Sequence, residues 1–311
     1  MSKISLTLLG IAAVVAVLGT LAACSPLAAL NVLTPAGASQ ASTGIAYGAG
    51  ERRRLDVYRP LSPAGPAPVV VFFFGGNWTS GERANYAFVA RALAARGMVV
   101  VVPDYRLHPE VSYPDFLDDS AAALAWTARE VARFGGDPKR LFVMGHSAGA
   151  YNAAMLALDA RWLERQGMAP SDLRGWIGLA GPYDFIPIEN KTTRPVFHFP
   201  NTPAASQPIN HVSASSPPAL LIAANKDDLV NPQRNTGGMA AKLRAHGVSV
   251  DEVYLDKVNH ITLVASFAGP LRLLAPTLDT VAGFVAAVAA RPAGKARPAA
   301  AVAALGAAGG S

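Results

Sequence analysis

The chain has 311 residues, 51% of them hydrophobic and 15% charged, which is too apolar for a disordered segment and ample for a buried core. Its single cysteine, Cys24, excludes an internal disulfide framework and a cysteine-ligated zinc site. The formal net charge of +6 is scattered, with Arg52-Arg53-Arg54 as the one basic run and Arg291, Lys295 and Arg297 in an Ala-rich tail, so no element concentrates charge as a nucleic-acid reader does.

Met1 to Ala23 places Lys3 ahead of an apolar stretch, Ile4 to Leu18, with small residues before Cys24; this is the layout of a secretory signal peptide. The stretch is short of the roughly 20 apolar residues that a spanning helix needs. Leu21-Ala22-Ala23-Cys24 resembles the lipobox of bacterial lipoproteins, which implies a diacylglyceryl group on the Cys24 thiol and a protein anchored to a membrane without spanning it. An ordinary signal peptide cut near Ala23 is the alternative. Ser25, not Asp, follows the cysteine, which points to an exported cell-envelope lipoprotein on the outer membrane, facing the periplasm. Residues 24–46, rich in Ala, Pro, Ser and Gly up to Ser42, read as a tether with no reason to pack.

From Tyr47 onward, strand-length apolar runs alternate with helical patterns. Leu55-Asp56-Val57-Tyr58 alternates and predicts an antiparallel strand. Val69 to Phe74, Val99 to Val102, Leu141 to Met144, Trp176 to Leu179 and Ala219 to Ala223 are near-continuous, the mark of strands covered on both faces of a parallel sheet. Helices are predicted at Glu82 to Arg96, Phe116 to Ala132, Ala148 to Ala160, Thr236 to His246 and Leu271 to Ala290. Strand and helix in alternation imply a doubly wound, mostly parallel α/β sheet with right-handed crossovers and helices on both faces, over 47–290. Ile188 to Ser216 is Pro-rich and irregular and reads as a lid or loop over a pocket; residues 291–311 read as a low-complexity tail.

On such a sheet, ligands meet the carboxyl ends of the strands, so the residues that follow the apolar runs carry the chemistry. Gly145-His146-Ser147-Ala148-Gly149 fits G-x-S-x-G between a strand and a helix, a turn sharp enough to expose the serine hydroxyl and to leave the Ala148 N–H facing an oxyanion. A serine needs a base, and the base an orienting acid. The strand Ala219 to Ala223 runs into Asn225-Lys226-Asp227-Asp228, with two candidate acids, and Val258-Asn259-His260 places a histidine after the predicted strand Val250 to Leu255. His108 and His146 precede the serine, His198 and His211 sit in the insertion and His246 near a helix end; all five read as structural or exposed. After Val69 to Phe74 comes Gly75-Gly76-Asn77-Trp78, whose glycines let backbone N–H groups curl inward, so Gly76, Asn77 and Ala148 are the candidate oxyanion donors.

Together with Leu55 to Pro60, Pro103-Asp104-Tyr105-Arg106-Leu107 and Phe134-Gly135-Gly136-Asp137-Pro138, these motifs resemble the α/β-hydrolase superfamily over Tyr47 to Ala290. The branch is that of carboxylesterases, which holds hormone-sensitive-lipase-like esterases, bacterial feruloyl-esterase-like proteins and kynurenine formamidase. The resemblance implies a serine hydrolase acting on small-molecule carboxylic esters, with Ser147 as nucleophile, His260 as base and no metal or organic cofactor. Relatives share the Asp-x-x-Val spacing seen from Asp227 to Val230, so the resemblance implies Asp227 as the acid, with Asp228 as the alternative. An amidase or formamidase on the same residues, and a lipid-anchored envelope protein without turnover, are the competing readings. Relatives commonly carry His where this chain has Phe74; that residue braces the loop, so the departure bears on the loop's hydrogen bonding. Trp78, Tyr183 and Phe185 are candidates for the pocket wall, equally readable as core.

Overall fold

The computed structural model describes residues 26–34, 37 and 39–291. Cys24, residues 1–23 with the expected signal peptide, and residues 292–311 with the expected tail lie outside them. Eight strands form one sheet: β1 (Ser39–Ala46), β2 (Arg54–Pro60), β3 (Ala67–Phe73), β4 (Val99–Pro103), β5 (Gly136–His146), β6 (Leu173–Leu179), β7 (Ala219–Ala224) and β8 (Val250–Leu255). Their order is β1-β2-β4-β3-β5-β6-β7-β8. The β1–β2 and β2–β4 pairs are antiparallel and every other pair is parallel.

The apolar runs become strands because both of their faces are covered. Val69, Val70, Val71, Phe72 and Phe73 are all fully buried, as are Leu141 to Met144. The five predicted helices stand at Ala87–Ala94, Asp115–Glu130, Ala148–Leu158, Gly238–Ala245 and Thr277–Ala289. The helix Ala148–Leu158 is buried at every residue, and its row of alanines carries no polar face because none of it meets water. Among the described residues no helix is long and apolar enough to cross a membrane.

The expected tether over 24–46 needs correcting. Pro26–Val32 is a helix and Ser39–Ala46 is the edge strand β1, in register with Arg54 to Pro60. The Asn31 side chain accepts from the Phe88 N–H at 2.8 Å and donates to the Ala84 carbonyl at 2.8 Å, and Arg91 donates to the Asn31 and Thr34 carbonyls. Small, weakly polar residues suppress a periodic signal here; the unpaired edge of β2 supplies the reason to pack.

The Pro-rich insertion folds as a series of single turns, Pro195–Phe197, Ala204–Ser206 and Pro208–His211, with Val196 and Phe197 buried as anchors.

Candidate active site

Ser147 stands between the end of β5 and the helix Ala148–Leu158 with φ 54° and ψ −122°, a backbone state that costs of order 1–3 kcal/mol for a residue with a side chain. Two glycines make the turn possible. A Cβ on Gly145 would stand 2.1 Å from the Gly149 carbonyl oxygen, and one on Gly149 would stand 2.0 Å from the Phe73 carbonyl oxygen, so strand and helix approach backbone to backbone. The Ser147 N–H donates to the Leu179 carbonyl at 2.8 Å, which fixes the elbow to β6.

The loop after β3 is wound about the Gly76 carbonyl, which accepts from the N–H groups of Thr79 and Ser80 at 3.0 and 3.1 Å. Gly76 has φ 131°, and Asn77 and Trp78 are left-handed at 53° and 59°. With the carbonyl turned into the loop, the N–H groups of Gly76 and Asn77 have no acceptor among the described residues. Ala148 opens its helix, where a first-turn N–H has no intrahelical partner. Phe74 answers the departure at that position: its ring lies between those of Tyr86 and Tyr105, at 5.8 and 4.6 Å, both stacked, and the Tyr105 hydroxyl donates to the Phe74 carbonyl at 2.7 Å. Aromatic stacking holds the loop at the position where the resemblance led to the expectation of a histidine.

His260 opens the helix His260–Ala265, whose cap is Asn259: its side chain accepts from the Ile261 and Thr262 N–H groups. The His260 Nδ1 lies 2.7 Å from Asp227 Oδ2, and Asp227 Oδ1 accepts from Leu229 and Val230 N–H groups. Asp228 is exposed, and no hydrogen bond joins it to His260. Burial pushes the Asp227 carboxyl up, but the His260 hydrogen bond and charge and the two backbone donors outweigh it and leave it below the usual carboxylate range. Among the described residues no hydrogen bond is made by Ser147 Oγ or by His260 Nε2, the ring nitrogen that Asp227 does not engage.

A cavity of about 220 Å³ opens on Ser147 and is lined by Asn77, Trp78, Ala148, Phe185, Ile188 and their neighbours. Trp78 is pinned, with Nε1 donating to Asn152 Oδ1 at 3.0 Å and its ring edge-on to Tyr151 and Phe197. Tyr183, readable from sequence as wall or core, is core: it is fully buried against Trp176. The insertion does reach the cavity, through Ile188, Glu189, Asn190 and Thr193. A larger hollow of about 730 Å³ around Lys139, Arg174 and Gly247 touches none of Ser147, Asp227 and His260. No group of three metal-ligating side chains occurs among the described residues.

Residues 55–243 match the BD-FAE family. The chain belongs to that family. This BD-FAE protein is 36% identical over 155 residues to the probable isoprenylcysteine alpha-carbonyl methylesterase ICME of Oryza sativa subsp. japonica, covering 49% of this chain and 37% of the relative. It is 31% identical over 224 residues to Esterase LipC of Mycobacterium tuberculosis, covering 65% of this chain and 54% of the relative. The chain thus spans between about a third and a half of the length of the curated relatives it matches. Among solved structures, a truncated carbohydrate esterase from gut microbiota superposes with TM-score 0.71 at 17% identity, covering 81% of this chain and 97% of that one. An inhibited esterase B from Lactobacillus rhamnosis gives 0.72 at 18% identity, covering 93% and 97%. At such identities the likeness speaks for the fold, which is the α/β-hydrolase fold.

Proposed function

We propose that this chain is a serine-dependent carboxylesterase. One observation carries the reading: an ionised, doubly anchored Asp227 holds His260 Nδ1 at 2.7 Å beside a serine elbow whose neighbouring N–H groups are unspent. The Ser147 hydroxyl attacks the ester carbonyl carbon as its proton passes to His260 Nε2. Asp227 keeps the proton on Nδ1, so that Nε2 is the free base, and stabilises the imidazolium that forms. The carbonyl oxygen becomes an oxyanion facing the N–H groups of Gly76, Asn77 and Ala148, each worth about 2.7–4 kcal/mol by analogy with other acyl transferases. His260 returns its proton to the departing alcohol, leaving an acyl-Ser147 ester. Water, deprotonated by His260, then repeats the sequence and frees the acid.

The cavity is smaller than the roughly 300 Å³ at which drug-sized ligand sites begin, and Trp78 and Phe185 stand in its wall, which suits short acyl groups. The names of the relatives, a probable methylesterase and an esterase, support ester over amide.

Protein lacking the residues before Ser25, assayed on short nitrophenyl esters, should lose activity by about 10³-fold or more in Ser147→Ala and should label with a fluorophosphonate only when Ser147 is present. Equal rates for both forms would refute the reading. Matched ester and formamide substrates compare the two bonds, and kcat/KM higher for the ester is the expected result.

We further propose that Cys24 carries the lipid of an outer-membrane lipoprotein. The docked helix Pro26–Val32 follows it after one residue, so the anchor would hold the catalytic body close to the membrane. Radiolabelled palmitate incorporated by the wild type and absent from Cys24→Ser is the expected outcome; label in both would end the proposal.

A further inference from the structure

His146 occupies the unspecified position of the G-x-S-x-G motif, directly before Ser147, and reads from sequence as structural. In the fold its side chain leaves the elbow and crosses to the base. Nε2 lies 2.9 Å from the backbone carbonyl oxygen of His260, and the two rings stand 5.0 Å apart. A carbonyl oxygen can only accept, so Nε2 carries the proton and donates it. Nδ1 is buried with no partner. The Gly75 backbone walls it off: a Cβ on Gly75 would stand 3.1 Å from Nδ1 and 3.0 Å from the Ser147 Cβ. A second proton at Nδ1 would therefore have no acceptor, and the ring is neutral. Burial first, then the charge of His260, brings its pKa down to about 3, against the opposing hydrogen bond to the His260 carbonyl and the charge of Asp227.

Asp227 restrains the ring of His260 and Asn259 caps its helix from the N-terminal side, but neither connects the base to the turn that carries the nucleophile. The His146 side chain does. We propose that His146 is a positioning residue for the hydrolase reaction, whose Nε2–H holds the backbone of His260 at the distance from the elbow at which the ring can reach the Ser147 hydroxyl. This rests on the serine-hydrolase reading of the site.

Three variants test it by steady-state kinetics on a short nitrophenyl ester. His146→Gln places its amide nitrogen near the position of Nε2 and restores the donor. His146→Asn places it near Nδ1, too short to reach. His146→Phe fills the space with no donor. The Asn and Phe variants should lose about 10–100-fold in kcat with KM within about twofold, while the Gln variant stays within about threefold of wild type, because a misplacement of about 1 Å costs rates of that order. Wild-type kcat in the Asn and Phe variants would overturn the proposal, and so would a Gln variant as impaired as the Phe variant, since volume alone would then explain the loss.

Should a variant fail to fold, the wild type still decides. Nitrogen-15 spectra should show His146 as a single neutral Nε2–H tautomer from pH 5 to 8, and an imidazolium or an Nδ1–H form would overturn the proposal. An inactive wild type would instead sink the hydrolase reading, leaving the tautomer to be measured on its own.

Discussion

Asp227 is committed on both oxygens: Oδ2 meets His260 Nδ1 at 2.7 Å, while Oδ1 accepts the N–H groups of Leu229 and Val230 at 3.0 and 2.9 Å. The carboxylate therefore cannot turn away from the imidazole without giving up both of these part-buried hydrogen bonds. This also gives a physical content to the Asp-x-x-Val spacing, since Val230 supplies one of the two N–H groups that fix the rotamer.

Asp227→Asn should be far more damaging than its small change in shape suggests. An amide has one accepting oxygen, so its NH₂ must face either the His260 Nδ1–H or the two backbone N–H groups. The imidazole then favours the tautomer with Nδ1 bare and Nε2 protonated, which cannot take the serine proton. A loss of about 10³–10⁴-fold in kcat is expected, with Asp228→Asn within about twofold of wild type. Steady-state rates for the two variants check this directly; the reverse ranking would exchange the two carboxylates.

The five buried strand runs, their helices and the strand ends after Phe74, Met144 and Ala223 were legible in the sequence, because a strand covered on both faces must be apolar without interruption and the chemistry must follow it. Order along the chain marked Ser147 and His260 as candidates but left the acid open between Asp227 and Asp228, and only the 2.7 Å contact from His260 Nδ1 to Asp227 separates the two carboxylates. Ser39–Ala46 was not legible: an edge strand with one face open to water and a glycine in its middle has neither a continuous run nor a clean alternation. His146 was missed for another reason. Its role depends on where the His260 carbonyl falls, 114 positions away, and no local pattern encodes that. The position of Phe74 announced a departure, but only the flanking Tyr86 and Tyr105 rings reveal how the loop is held without a histidine.

Two glycines make opposite predictions when changed to alanine. At Gly149 a methyl group would stand 2.0 Å from the Phe73 carbonyl oxygen and 2.6 Å from that of Phe74, both backbone atoms that cannot step aside. Gly149→Ala should cost about 3 kcal/mol or more, or fail to yield folded protein. Gly283 lies on the exposed side of the helix Thr277–Ala289 with nothing within 4 Å of a Cβ, so Gly283→Ala should gain about 0.5–1 kcal/mol. Thermal unfolding of both variants measures the contrast.

Asp119 ties three segments together from inside the protein. It is fully buried and accepts from the Arg53 Nε at 2.9 Å, from the Arg106 Nε at 2.8 Å and from the Arg106 backbone N–H at 3.0 Å, joining the start of β2 and the loop after β4 to the helix Asp115–Glu130. Asp119→Asn leaves two guanidinium groups facing a neutral amide. Breaking a buried pair costs about 3–5 kcal/mol, but the Arg53 and Arg106 side chains are 33% and 26% exposed and recover part of that from water. A loss of about 2 kcal/mol in urea unfolding is expected, and a change below about 0.5 kcal/mol would mean that water already satisfies the arginines.

The pH dependence of stability follows from His146. Its pKa in the folded protein, about 3, lies below the ordinary value of 6.5, which the unfolded chain restores. Between those two values the unfolded state binds the extra proton, so unfolding becomes easier as the pH falls. The contribution is fully present above about pH 6.5 and is lost as the pH drops toward 3, with a slope of up to about 1.4 kcal/mol per pH unit. Asp227, held below its ordinary carboxylate range, acts in the same direction but only in the more acidic part of the range. Urea unfolding of the wild type and His146→Gln at pH 7, 6 and 5 separates the two groups: glutamine takes up no proton, so the wild type should lose stability more steeply over this interval. Parallel curves would mean that the folded protein accepts a proton on His146, and with it that the Nδ1 side is open to a partner.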